Sequence, residues 1–165
     1  MLSVARMNGK PQKVQDEENR KYVEAIEGFD GTEFLFDGGY KMTVNLKVAD
    51  ITEDCPHGYN YEFNLFAPDP SGKPVIRVLA TDNAHAPIDK KHPHDHWHAS
   101  VMNPAGTIPI GVRKGTHVKV NSIEDHLARF MEASGKLLNQ LGLSSDIKVM
   151  THEPRASRKH QFLKT

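Results

Sequence analysis

The sequence predicts an α+β domain, an antiparallel meander of about five strands with one long C-terminal helix packed on one face. Three observations carry that expectation. Residues 40–80 alternate apolar and polar side chains in successive runs, the period of a strand with one face buried. The links between those runs are too short for the crossover helix that a parallel pair requires. A single sustained apolar stripe of helical period follows, from residue 123 to residue 141.

Taken in order, residues 1–20 are polar and mixed in charge and are expected to form a mobile leader. Tyr22, Val23 and Ile26 stand at roughly helical spacing, so a short helix over 16–27 is expected where the domain begins. "TEFLFD" reads as a strand that ends at Gly38 and Gly39, a pair suited to a tight hairpin. In "YKMTVNLKVADI", Met42, Val44, Leu46 and Val48 share one face, and Thr43, Asn45 and Lys47 the other. "YNYEFNLFA" places Tyr59, Tyr61, Phe63 and Leu65 together. After the turn "PDPSGK", the strand "PVIRVLAT" opposes Val75, Arg77 and Leu79 to Ile76, Val78 and Ala80.

"PAGTIPIGVRKGTHVKV" reads as a loop ending in a short strand. The helix then opens at Ser122, with Asp125 as a shortened capping-box acid, and closes at Gly142. Its stripe is Ile123, Leu127, Phe130, Met131, Leu137, Leu138 and Leu141. Residues 21–145 are thus expected as one domain. Residues 146–165 follow as a basic, mobile tail carrying Arg155, Arg158, Lys159 and Lys164, a solvated segment or a contact arm for an acidic partner or nucleic acid.

Composition narrows the function classes. The chain has 165 residues, 38% hydrophobic and 25% charged, enough for one domain with a real core. Lys plus Arg and Asp plus Glu both number 21, so no global field recruits nucleic acid or an anionic membrane, and any such partner needs a local patch. The single cysteine, Cys55, excludes an internal disulfide and a multi-thiolate zinc site. The N-terminus lacks the apolar core of a signal peptide, and nowhere do apolar residues run long enough to span a bilayer. A cytoplasmic protein with no membrane partner is expected.

The chemistry gathers in "TDNAHAPIDKKHPHDHWHAS", which holds five of the ten histidines. On a strand, His94, His96 and His98 project from one face while Asp95 and Trp97 point to the other, which makes Trp97 a core residue. Same-face neighbours lie roughly 6.5–7 Å apart, so two imidazoles can converge on one divalent ion. His94, His96 and His98 are therefore candidate metal ligands, with Asp82, His85 and His117 nearest in sequence, in a set suited to zinc, manganese or nickel. Pro93 interrupts the ladder and separates His92 from that site. A metal-free cluster working by acid-base chemistry near neutral pH stands beside the metal reading, as does a strand whose histidines merely titrate.

His85, His96 and Asp82 are the candidate catalytic residues, with Asp82 orienting an imidazole of His85, His96 or His98. Alternatively Asp82 and Asn83 simply bond their own backbone in a turn. Arg77, Asn83, Lys90 and Lys91 are candidate substrate-binding residues, the cations offering charge to a phosphate. "HDHWHAS" departs from the nucleotide-hydrolase histidine triad at Asp95 and Ser100, so His96 as its nucleophile is a weaker alternative. A cupin-type set lacks its glutamate, since Glu124 is distant. Cys55 and His57 are close in sequence, which does not supply the geometry of a Cys-His pair.

The order Arg77, then Asp82-Asn83-Ala84-His85, then His94, His96 and His98, then a helix from Ser122 resembles the TumE-like toxins of prokaryotic toxin-antitoxin pairs. The resemblance covers roughly residues 40–140 and is most specific at "DNAH"; residues 101–120 and the basic tail have no counterpart in it. It implies an α+β fold and a helix-turn-helix antitoxin as partner. With the histidines, it leads to the expectation of a toxin-like protein acting on nucleic acid or a nucleotide. The competing expectation is a non-catalytic inhibitor or interaction module with no active site.

Overall fold

The computed structural model describes residues 26–69, 76–83 and 95–153. The expected leader, residues 1–20, and the tail beyond Glu153 lie outside them. The α+β expectation holds, with more strands than the sequence suggests. A seven-stranded sheet combines β1 (Thr32–Leu35), β2 (Lys41–Val48), β3 (Tyr59–Ala67), β4 (Ile76–Asp82), β5 (His96–His98), β8 (Thr116–His117) and β9 (Val149–His152). β6 (Ser100–Met102) and β7 (Pro109–Val112) form a separate hairpin. The large sheet runs β8-β5-β4-β3-β2-β1-β9, every neighbouring pair antiparallel, with α1 (Ile123–Gln140) packed on one face.

Alternation along β2 and β3 sets which face meets the helix. Met42, Val44 and Leu46 pair with Leu65, Phe63 and Tyr61, and all six are essentially inaccessible. Val48 continues the pattern but is 54% exposed, so the stripe outruns its cover. Between β1 and β2 the chain makes a 3-10 turn over Asp37–Gly39 rather than a two-residue hairpin loop. Gly38 and Gly39 both have positive φ, 69° and 80°, a conformation a side chain makes costly. Ile26 and Glu27 are helical, and Ile26 is buried in the core.

The helix follows its sequence signals closely. Ser122 Oγ accepts the Asp125 N–H at 3.3 Å. Ile123, Leu127, Phe130, Leu137 and Leu138 are buried, and Met131 and Leu141 pack at the margin of the core. At the far end Gly142 has φ 75°; the Leu143 N–H reaches Leu138 O at 2.9 Å and the Gly142 N–H reaches Asn139 O at 3.0 Å, the paired bonds of a Schellman motif.

Two segments differ from expectation. The stretch read as a loop ending in a short strand contributes both β7 and β8. β7 packs on the outer face of β4, where Val78 and Ala80 are 0% exposed, and Ser100 Oγ of the same hairpin donates to Val78 O. The tail expected from residue 146 begins instead with β9, which pairs with β1 along the sheet edge, so the domain runs to at least residue 152. Its four residues are all exposed and carry no burial pattern, which is why periodicity could not show them.

Candidate functional site

The β4-β5 pairing organises two polar clusters on opposite faces of the sheet. Asp82 lies opposite His96 and Ala80 opposite His98, so these residues share the outer face. Trp97, opposite Thr81, turns inward, and its ring meets Phe130 at 5.8 Å and His126 at 5.9 Å. The alternation expected of "HDHWH" is the arrangement found from Asp95 to His98.

On the outer face His98 is held at both nitrogens. Nε2 lies 3.3 Å from Asp82 Oδ2 and Nδ1 lies 3.1 Å from Arg113 O. Both partners are acceptors, so the ring satisfies both when both nitrogens carry protons. Gly115 permits this close fit: a Cβ there would stand 2.9 Å from His98 Cε1 and 3.1 Å from His96 Cβ. One register step away, His96 pairs with His117 across β5-β8 and their rings lie 4.8 Å apart. Asp82 is 4% exposed, and its second oxygen, Oδ1, has no hydrogen-bond partner among the described residues. A buried acceptor without a donor costs about 1–3 kcal/mol.

Behind the sheet, Asp95 is 2% exposed and its Oδ1 receives the Tyr61 hydroxyl at 2.8 Å and His57 Nε2 at 3.1 Å. The Tyr59 N–H donates to His57 Nδ1 at 3.2 Å, which fixes His57 as the Nε2–H tautomer. Cys55 Sγ is 3.9 Å from that same Nδ1 and donates to Tyr59 O at 3.4 Å. The histidine lone pair a thiol would need as its base is thus already occupied, and the Cys-His-Asp chain is a structural brace. Burial, then the Asp95 charge, drives the Tyr61 hydroxyl far up from its ordinary range, so it stays a donor.

His126, on the helix, completes this inner network. Thr81 Oγ1 donates to His96 O at 2.7 Å and lies 2.7 Å from His126 Nε2. With the only hydroxyl proton used, Nε2–H of His126 is the donor in that second contact. Burial lowers the His126 pKa from 6.5 to about 4, outweighing the nearby Asp95 carboxylate, so the ring is neutral at neutral pH.

The residues proposed from sequence therefore separate. Asp82, His96 and His98 come together, joined by His117. Arg77 stands at the opposite end of β4 from Asp82, paired with Phe66 beside a bulge, and does not reach this corner. Asn83 is 8% exposed; its Oδ1 accepts the Tyr61 N–H at 2.9 Å and its Nδ2 donates to Tyr59 O at 2.7 Å, lashing the end of β4 to β3. Its amide is engaged in the fold. His85, Lys90, Lys91 and His94 lie outside the described residues, as does His92. Among the described residues no three His, Cys, Asp or Glu side chains gather as a metal-ligand group.

Sequence reasoning passed over Asp95, Tyr61 and His126. A tyrosine on an apolar face and a histidine inside the helix stripe were the available signals, since each needs a polar partner once buried. No helix among the described residues is long and apolar enough to cross a membrane. No protein-family model, curated protein or solved structure matches this chain.

Proposed function

We propose that this chain is the toxin-like member of a prokaryotic toxin-antitoxin pair, cleaving a phosphodiester of nucleic acid or a nucleotide by histidine acid-base chemistry at the outer β4-β5-β8 corner. The observation that carries the reading is His98 held between the Asp82 carboxylate and the Arg113 carbonyl, with His96 and His117 beside it on the same face. Both His98 nitrogens are engaged, so Asp82 and the Arg113 carbonyl make that ring the fixed wall of the corner, and the proton transfers fall to its neighbours. His96 and His117, their rings 4.8 Å apart, supply the two complementary steps: one takes the attacking hydroxyl's proton and the other protonates the leaving oxygen. The helix-turn-helix antitoxin remains the proposed partner.

The test is expression of the chain and of its His98→Ala and His96→Ala variants in a bacterial host, scored for growth arrest, with RNA cleavage followed on the purified proteins. Wild type arrests growth and cleaves; His96→Ala loses at least a hundredfold in rate, the scale of a missing general acid or base, and His98→Ala loses activity by releasing Asp82 and the wall of the corner. Fully active variants would sink the reading. Elemental analysis of untagged protein runs alongside. Stoichiometric zinc, manganese or nickel, lost with the histidines, would make His96 and His98 ligands of an ion that supplies Lewis-acid chemistry at the phosphate, in place of free imidazoles.

A non-catalytic interaction module is favoured by one separate observation. The β9 edge and its approach expose Ile147 at 44%, Val149 at 48% and Met150 at 64%, an apolar edge with no further strand beside it among the described residues. Under that reading, Val149→Lys with Met150→Lys abolishes the biological effect while the histidine variants retain it.

A further inference from the structure

We propose that the sheet face away from α1, over β1-β2-β3, is a binding site for a guanidinium group, separate from the histidine corner. The site is a cleft of about 270 Å3. Outward-pointing side chains of three adjacent strands form it, because the residues between them are committed to the core: Glu33 of β1, Lys41 of β2, and Glu62, Asn64 and Phe66 of β3, with Glu153 just beyond β9.

Among the residues that line it the charge is negative, with Arg77, the register partner of Phe66 on β4, standing outside the lining. Lys41 Nζ lies 3.6 Å from Glu33 Oε1, which neutralises that pair and leaves the Glu62 and Glu153 carboxylates as surplus. The second, independent feature is Asn64. This residue is 3% exposed and lines the cleft, its Nδ2 donates to Glu62 Oε1 at 2.8 Å, and its Oδ1 has no partner among the described residues. Flipping the amide would set two oxygens against each other at Glu62, so the carbonyl oxygen is the atom left over. An oxygen without a donor next to a carboxylate that already shares the same amide calls for a ligand rich in N–H groups and positive in charge.

A guanidinium meets that demand better than an ammonium. Its planar fork presents five donors, enough to bridge Glu62 and Asn64 at once, and its face stacks on an aromatic ring such as that of Phe66. An ammonium satisfies the charge without the stacking. The group can come from a free ligand or partner, or from this chain's own Arg155 and Arg158, which follow the cleft residue Glu153 in sequence.

The experiment titrates the isotopically labelled full chain with N-acetylarginine amide, following backbone amide resonances of β2 and β3, with N-acetylcitrulline amide as the uncharged isostere. Saturable shifts at Thr43, Glu62 and Asn64 are expected. The citrulline probe should bind at least tenfold more weakly, as should the arginine probe to Glu62→Gln. Glu153→Gln, altered outside the ladder, provides a second variant that should weaken binding without a folding defect.

If the chain's own arginines fill the cleft, the full chain binds weakly, and Arg155→Gln with Arg158→Gln raises the probe's affinity at least tenfold. Absence of saturable shifts in both the parent and that double variant overturns the proposal. So does binding that is indifferent to Glu62→Gln and Glu153→Gln.

Discussion

The Tyr61 hydroxyl donates to Asp95 Oδ1 at 2.8 Å on the inner face of the sheet, while on the outer face Asp82 Oδ2 sits 3.3 Å from His98 Nε2. Both aspartates flank β4-β5, yet their surroundings give them different work. Asp95 is closed in by its donors and holds the fold together. Asp82 keeps one oxygen without a partner among the described residues, beside the partly exposed His98 ring.

Removing Asp95 should therefore cost stability. Asp95→Ala leaves the Tyr61 hydroxyl and His57 Nε2–H without an acceptor, a loss of roughly 2–6 kcal/mol at about 1–3 kcal/mol per orphaned buried group. Tyr61→Phe removes one donor and its bond together and should cost about 1 kcal/mol. Urea denaturation of the two variants reads the difference, and equal losses would show that Asp95 is not the shared acceptor.

Acid should destabilise the protein through His126. Its folded pKa of about 4 lies below the unfolded value of 6.5, so between those values the unfolded chain binds the additional proton. The stability contributed by the neutral buried ring is complete above pH 6.5 and declines as pH falls toward 4. The slope approaches about 1.4 kcal/mol per pH unit, roughly 3 kcal/mol across the window. His126→Leu should flatten that part of the stability profile in urea melts taken from pH 7.5 to 4.5.

Gly115→Ala should act on the corner while sparing the core. The added methyl would meet His98 Cε1 at 2.9 Å and displace the ring from Asp82. Nitrogen NMR of the histidine rings should show His98 released from its two acceptors, and under the proposed function growth arrest should fall at least tenfold. An unchanged His98 signal would mean the loop yields instead.

The two glycines at the β1-β2 turn and the helix end should differ in cost. Gly142 has φ 75° with nothing within 4 Å of a built Cβ, so Gly142→Ala carries only the left-handed penalty of about 1–2 kcal/mol. Gly38 has φ 69° and its Cβ would also stand 3.0 Å from Leu143 Cδ1. Gly38→Ala should be the more destabilising of the pair in thermal melts, by about 1 kcal/mol or more.

Periodicity determined the face of each long element from sequence alone, because burying one side of a strand or helix forces a two-residue or 3.6-residue repeat. Met42 to Leu46, Tyr61 to Leu65 and the helix stripe from Ile123 were all readable for this reason, as were Ser122 and Gly142 at the helix ends. The repeat also put Asp95 and Trp97 opposite His96 and His98. Tertiary structure alone decided which partner each polar group found. His57 reaches Asp95 across 38 positions in sequence and His126 reaches Thr81 across 45, distances over which a local pattern carries no information. The short exposed strand β9 was equally hidden, since a strand that buries nothing writes no period into its residues.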